Sequence, residues 1–159
     1  MKTLKLSVSF AIVLLLLLMV APAHAWKLCL QLIPEALGAG ASDYKLAEIP
    51  TGDGNFLLSG KSSTVLLYPP FRKIEAVVTG GGGMIDEMLE ISLDEKRMDG
   101  SDFIVKQVHM ILDPKTKVGT YESVQTTYPA VGNSGTFTQQ GTVAPFSCGR
   151  LSYWPLPVW

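Results

Sequence analysis

The chain has 159 residues, with 13 Lys and Arg against 14 Asp and Glu and only two histidines, for a formal charge of −1. Without a basic excess or a local basic stripe it lacks the electrostatic footprint of a nucleic-acid-binding protein. Two histidines, one of them in a segment expected to be removed, are too few for a multi-histidine metal site or for chemistry that needs a histidine pair.

The first residues set the compartment. Lys2 and Lys5 precede an almost unbroken apolar run from Leu6 to Ala21, followed by Ala23-His24-Ala25. A charged start, an apolar stretch and small residues at the first and third positions before a cut are the marks of a secretory signal peptide over residues 1–25. The alternative is an uncleaved anchor, although a run of about 16 apolar residues is short of the roughly 20 that span a bilayer. Cleavage predicts a periplasmic or secreted domain, residues 26–159, with no membrane span left. Lipidation at Cys29 is disfavoured because Trp26-Lys27-Leu28 precede it in place of small residues. Loss of Lys2 and Lys5 leaves 11 basic and 14 acidic side chains.

Two cysteines remain, Cys29 and Cys148, at opposite ends of this domain. In an oxidising compartment an even pair reads as a disulfide. A redox or metal-binding pair would be the alternative, but no C-x-x-C spacing supports it. A bridge between them sets the first and last strands side by side, as a sheet closed on itself requires.

From Trp26 onward, short apolar or β-branched runs alternate with turn residues about every ten positions, the rhythm of an all-β sandwich or barrel. The expected strands are Trp26–Ile33, Tyr44–Ile49, Asn55–Gly60, Thr64–Tyr68, Ile74–Thr79, Ile85–Leu93, Phe103–Leu112, Val118–Thr127 and Gly135–Val143. Asp53-Gly54 and Asp99-Gly100 supply residues tolerant of positive φ, and Asp113-Pro114 starts a turn. Period two is clearest in Leu89, Ile91 and Leu93, and again in Ile104, Val108, Met110 and Leu112 with Gln107 and His109 opposite. Each such strand has one buried and one wet face. Met84 to Leu89 also suits a helical turn or two. Pro34 to Ser42 reads as a small-residue loop, and Asp94 to Asp102 as a polar, solvent-facing block.

Gly80-Gly81-Gly82-Gly83 raises the question of a phosphate loop. The lysine and hydroxyl of a P-loop are missing, because Met84-Ile85 follow, and a dinucleotide fingerprint begun at Gly80 meets Ile85 where its last glycine belongs. The remaining expectation is a hairpin connection or bulge. No catalytic set emerges: His109 lies on the polar face of its strand, without a G-x-S-x-G elbow. Asp86, Glu87, Glu90, Asp94 and Glu95 have no calcium-loop spacing and read as a solvated face. Neither a metal nor a cofactor is expected.

The aromatic residues recur along the strands, and in a small barrel they either fill the interior or line a cavity. Phe56, Tyr68, Phe103, Tyr121 and Phe137 form the candidate lining, with core filling as the default. The tail Leu151 to Trp159 resembles the aromatic end of an outer-membrane barrel, but Pro155 and Pro157 would interrupt a last strand. It reads better as an extended segment and a candidate docking site for a protein partner.

The start Trp26 to Leu32 (W-K-L-C-L-Q-L), Gly54 to Gly60 (G-N-F-L-L-S-G), Leu112 to Tyr121 (L-D-P-K-T-K-V-G-T-Y) and Gly135 to Thr138 (G-T-F-T) resemble small exported bacterial barrels of calycin type, similar to lipocalins and avidins. The lipocalin G-x-W is not present in that form. The resemblance implies an antiparallel up-and-down β-barrel of about eight strands that holds a small apolar or amphipathic molecule without acting as an enzyme. The alternative is an envelope or extracellular interaction module with a filled core.

Overall fold

The computed structural model describes residues 27–36, 40–66 and 72–149. The expected signal peptide, Tyr68 and the aromatic tail lie outside the described residues. Eight strands follow in chain order: β1 (Leu28–Pro34), β2 (Ser42–Pro50), β3 (Phe56–Leu66), β4 (Arg72–Ile85), β5 (Met88–Asp99), β6 (Asp102–Leu112), β7 (Gly119–Tyr128) and β8 (Gly135–Pro145). Each pairs antiparallel with its neighbour in sequence, and β8 returns to β1, so the sheet is a closed up-and-down barrel.

Alternation along the strands divides the side chains between interior and outer face. Leu30 opposes Tyr44, Tyr44 opposes Ser62, Val78 opposes Glu95, Glu95 opposes Lys106, and Val108 opposes Ser123. These residues share the inner surface. Toward the end where β1 begins and β8 finishes, Leu28, Leu30, Leu46, Leu58, Leu89, Ile91, Met110 and Leu112 are buried in one cluster with Tyr121 and Val143. An eight-stranded barrel is just wide enough for side chains to fill it, and here the apolar end is packed.

The four glycines are not a turn. They belong to β4, where Gly80 pairs with Leu58 and Leu93, and Gly82 with Phe56 and Ile91. The reversal comes later, at Asp86 and Glu87, which both take positive φ, 47° and 68°, as a two-residue hairpin requires. The glycines are there for lack of room. A Cβ on Gly80 would run into the carbonyl of Ser92 and come within 2.9 Å of Leu93 Cδ2, while one on Gly82 would meet the Phe56 ring at 2.8 Å. Gly141 stands in the same relation to Tyr121, whose ring edge is 2.8 Å from where its Cβ would be. Aromatic side chains thus lie over glycines on the neighbouring strand, covering backbone that has no side chain of its own. Replacing Gly80 by valine is expected to cost about 1–3 kcal/mol through overpacking, measured as a lowered urea midpoint at unchanged m-value.

Two further expectations change. Asn55–Gly60 and Thr64–Tyr68 are not separate strands, since Lys61, Ser62 and Ser63 continue the pairing of β3 with both β2 and β4. Polar residues at 61–63 suggest a break, but Ser62 is an interior position that faces other polar groups. Asp94 to Asp99 are likewise part of β5. The tight turns at Gly54 and Gly100 do adopt positive φ, 87° and 64°. The Asp113 turn is fastened by its carboxylate, whose Oδ1 accepts the N–H groups of Lys115 and Thr116 at 2.9 and 2.7 Å.

The barrel closes at a short seam. β1 pairs with β8 only from Leu30 to Pro34, and next to that ladder the disulfide Cys29–Cys148 joins the start of β1 to the chain leaving β8, with Cα atoms 5.4 Å apart. Phe146 N–H also donates to the Cys29 carbonyl at 3.0 Å. The bridge expected from the cysteine pair is therefore present, and it fastens β1, the strand with the shortest ladders on both sides.

Candidate functional site

The half of the barrel away from the termini is built differently. Beside apolar Ala76 and Ile104, its inward positions include Tyr44, Ser62, Glu95, Arg97, Lys106, Ser123 and Gln125, and several are buried: Glu95 is 1 % exposed, Ser62 and Ser123 2 %, and Lys106 7 %. Glu95 organises the group. Its Oε2 accepts the Tyr44 hydroxyl from across the barrel at 2.7 Å, and its Oε1 accepts Arg97 Nη1 at 2.8 Å. Arg97 Nη2 donates in turn to Gln125 Oε1 at 3.3 Å. Among the described residues one buried polar atom stays unsatisfied, and one cation has no bonded partner. Arg97 Nε is buried with no acceptor, and Lys106 makes no hydrogen bond or ion pair with any described residue, although it opposes Glu95 in register.

Above this layer β1 ends at Pro34, opposite Gly141, and among the described residues β8 from Gly135 to Gln139 is paired with β7 alone. Phe137, an inward position opposite Gln125, is 57 % exposed there. At the rim, Arg72 and Asp99 form an ion pair at 2.9 Å.

The charges have consequences for ionisation. Burial, reinforced by the charge and hydrogen bond of Glu95, holds the Tyr44 phenol well above its ordinary 10.0. Tyr121 is pushed up to about 12 by burial, with the Glu35 carboxylate adding to it. Burial pulls the Lys106 ammonium below its ordinary 10.5; nearby Glu95 opposes this and Arg97 contributes to it. For both phenols the folded state holds the proton more tightly than the unfolded chain, so their stabilisation is complete below pH 10 and is lost as pH rises above it. Lys106 works the other way, because the folded state gives up that proton first and gains stability up to 10.5. With two phenols against one amine, unfolding free energy is expected to fall between pH 10 and 12. Y44F should flatten that fall, as denaturant titrations across this range would show.

The five aromatic residues expected to line a pocket do not form one set. Phe56 and Tyr121 belong to the packed end, where they cover glycines. Phe137 stands exposed near the opposite end, and Tyr68 lies outside the described residues. Phe103 opposes Met98 and Tyr128, faces outward, and stacks obliquely on Tyr128 with ring centroids 6.2 Å apart. Glu95 also departs from expectation. It is not part of a solvated acidic face but the most buried charge among the described residues. The signal was in the alternation: Glu95 and Arg97 continue the parity of Leu89, Ile91 and Leu93, and Lys106 falls between Ile104 and Val108 on the apolar side of β6. A charge in the buried parity of a strand marks a polar interior.

His109 is on the outer face, as its strand parity implies. Its Nδ1 is 3.3 Å from Ser92 Oγ and its Nε2 3.9 Å from Glu90 Oε2, beside a groove of about 410 Å³ bordered by Asp94, Gln107, Glu122 and Val124. The trio has the residue types of a hydrolytic triad. Ser92, however, lies mid-strand with ladders on both sides, so the backbone amides around it are committed to the sheet. No oxyanion donor is offered among the described residues. No group of His, Cys, Asp and Glu among the described residues is arranged to hold a metal ion.

No family model matches the chain, and no curated protein is significantly similar to it.

Proposed function

We propose that the protein is an exported, non-enzymatic binding protein, lipocalin-like in build, that holds a small amphipathic molecule at the open polar half of its barrel. One observation carries this reading: the interior is packed with apolar side chains at one end, while at the other an exposed aromatic side chain, Phe137, stands on a stretch of β8 that among the described residues pairs with β7 alone, above buried polar and charged groups. Ligand sites combine apolar contact with a few fixed polar groups in this way. Export accords with a disulfide, a bond that persists in oxidising compartments. The test is native mass spectrometry of protein recovered from its exported compartment without organic extraction. A reproducible added mass that disappears on denaturation supports the reading; a bare chain lacking residues 1–25 and two hydrogens tells against it.

A second reading rests on the outer face. Val77, Met98 and Tyr128 are 64 %, 60 % and 49 % exposed, and Val77, Met98 and Phe103 border a groove of about 610 Å³ with Lys61, Glu75 and Lys96. Exposed apolar surface of this kind suits a protein-interaction module. Under that reading M98K would abolish partner binding and leave small-molecule binding unchanged.

A further inference from the structure

We propose that the buried polar layer is an anion site, with Lys106 as the group that receives the carboxylate of a monoanionic amphiphile. The inference rests on the ligand-binding reading above and names the chemistry of the ligand's head. Within the layer, the buried charges are Glu95, Arg97 and Lys106. One carboxylate neutralises one of the two cations, and the geometry says which: Arg97 is bound to Glu95 at 2.8 Å, whereas Lys106 has no partner among the described residues. Two buried cations that share one carboxylate leave an excess charge that is costly to bury, and a bound monoanion removes that cost. The nearby rim supplies no substitute. Asp99 is engaged by Arg72 at 2.9 Å, and Asp102, beside the β5–β6 turn, lies one inward position beyond Ile104 and at the solvent edge.

The layout also suits the rest of such a molecule. Lys106 opposes Gln125 in register, and the Gln125 side-chain amide, whose oxygen accepts from Arg97, can donate its N–H to a carboxylate. Phe137 opposes Gln125 at the mouth and is exposed, so an apolar tail leaving the layer has an aromatic surface to lie on. The excess of a single positive charge in the layer favours a monoanion over a phosphate dianion.

The experiment compares decanoate with decanol, which share a ten-carbon tail, by calorimetric titration of the full mature protein, and adds acetate at constant ionic strength as a tail-free probe read by melting temperature. Wild type is expected to prefer decanoate by about 10- to 100-fold, the range of a charge-assisted hydrogen bond. K106M should lose that preference while retaining decanol binding, and K106R, which keeps the charge, should restore part of it. Circular dichroism establishes that each variant is folded. Equal binding of decanoate and decanol overturns the anion site and leaves the ligand-binding barrel standing. If neither amphiphile binds but acetate raises the melting temperature of wild type and not of K106M, the anion site stands and the amphiphile reading falls. No response to any of the three probes overturns both.

Discussion

Reduction of Cys29–Cys148 is expected to lower the stability of the mature domain by about 4–5 kcal/mol, the chain-entropy value for so long a closed loop. The bridged residues are 119 apart in sequence, so the bond restricts nearly the whole unfolded chain. For a domain of this size the loss corresponds to a fall in melting temperature of roughly 10–20 °C. The location strengthens the expectation, because the β1–β8 seam runs only from Leu30 to Pro34 and the bridge anchors its end. Loss of the bond leaves the first and last strands joined by hydrogen bonds alone. The measurement is thermal unfolding by circular dichroism with and without a phosphine reductant, alongside the C29S/C148S variant. A shift below about 3 °C in both would falsify the closure argument.

Replacing Glu95 by alanine is expected to cost about 3–5 kcal/mol, the typical penalty for breaking a buried ion pair from one side. Glu95 is 1 % exposed and accepts from both Tyr44 and Arg97. Its loss would leave Arg97 and Lys106 as two buried cations without a counter-charge and the Tyr44 hydroxyl without its acceptor. The comparison that isolates charge from packing is E95M/R97M/K106M, in which all three are apolar. Buried charge networks replaced as a whole by well-packed apolar residues are often neutral or stabilising, so the triple variant should recover most of the loss. D94N, on the exposed face of the same strand, should change the urea midpoint by less than about 0.5 kcal/mol equivalent. If E95A proves as mild as D94N, Glu95 does not anchor the layer.

The consequences of the two changes differ in kind. The disulfide acts mainly on the unfolded chain and should lower stability without altering the interior. Glu95 acts on the folded state and should alter the interior's ionisation as well, removing the charge that helps hold the Tyr44 proton in place.

Much of this architecture is legible in the sequence, for reasons that are local. Alternation in Leu89–Leu93 and Ile104–Leu112 assigns strands because a two-residue period has only one structural origin at that length. Gly54 and Gly100 mark turns because their positive φ is costly for other residues. An even cysteine pair in a chain whose first residues read as an export signal suggests the bridge before any geometry is known. The four glycines and the interior charges needed tertiary structure. A glycine run reads as a turn when only its flexibility is considered, but Gly80 and Gly82 are strand residues because Ser92, Leu93 and Phe56 occupy the space a side chain would need, and those neighbours come from other strands. Glu95 likewise reads as one more acidic surface residue until the barrel closes and sets it opposite Tyr44, 51 positions away in the chain. Local preference determined the strands; which of their faces became interior, and what charge met what inside it, was decided only when eight strands curled into one closed sheet.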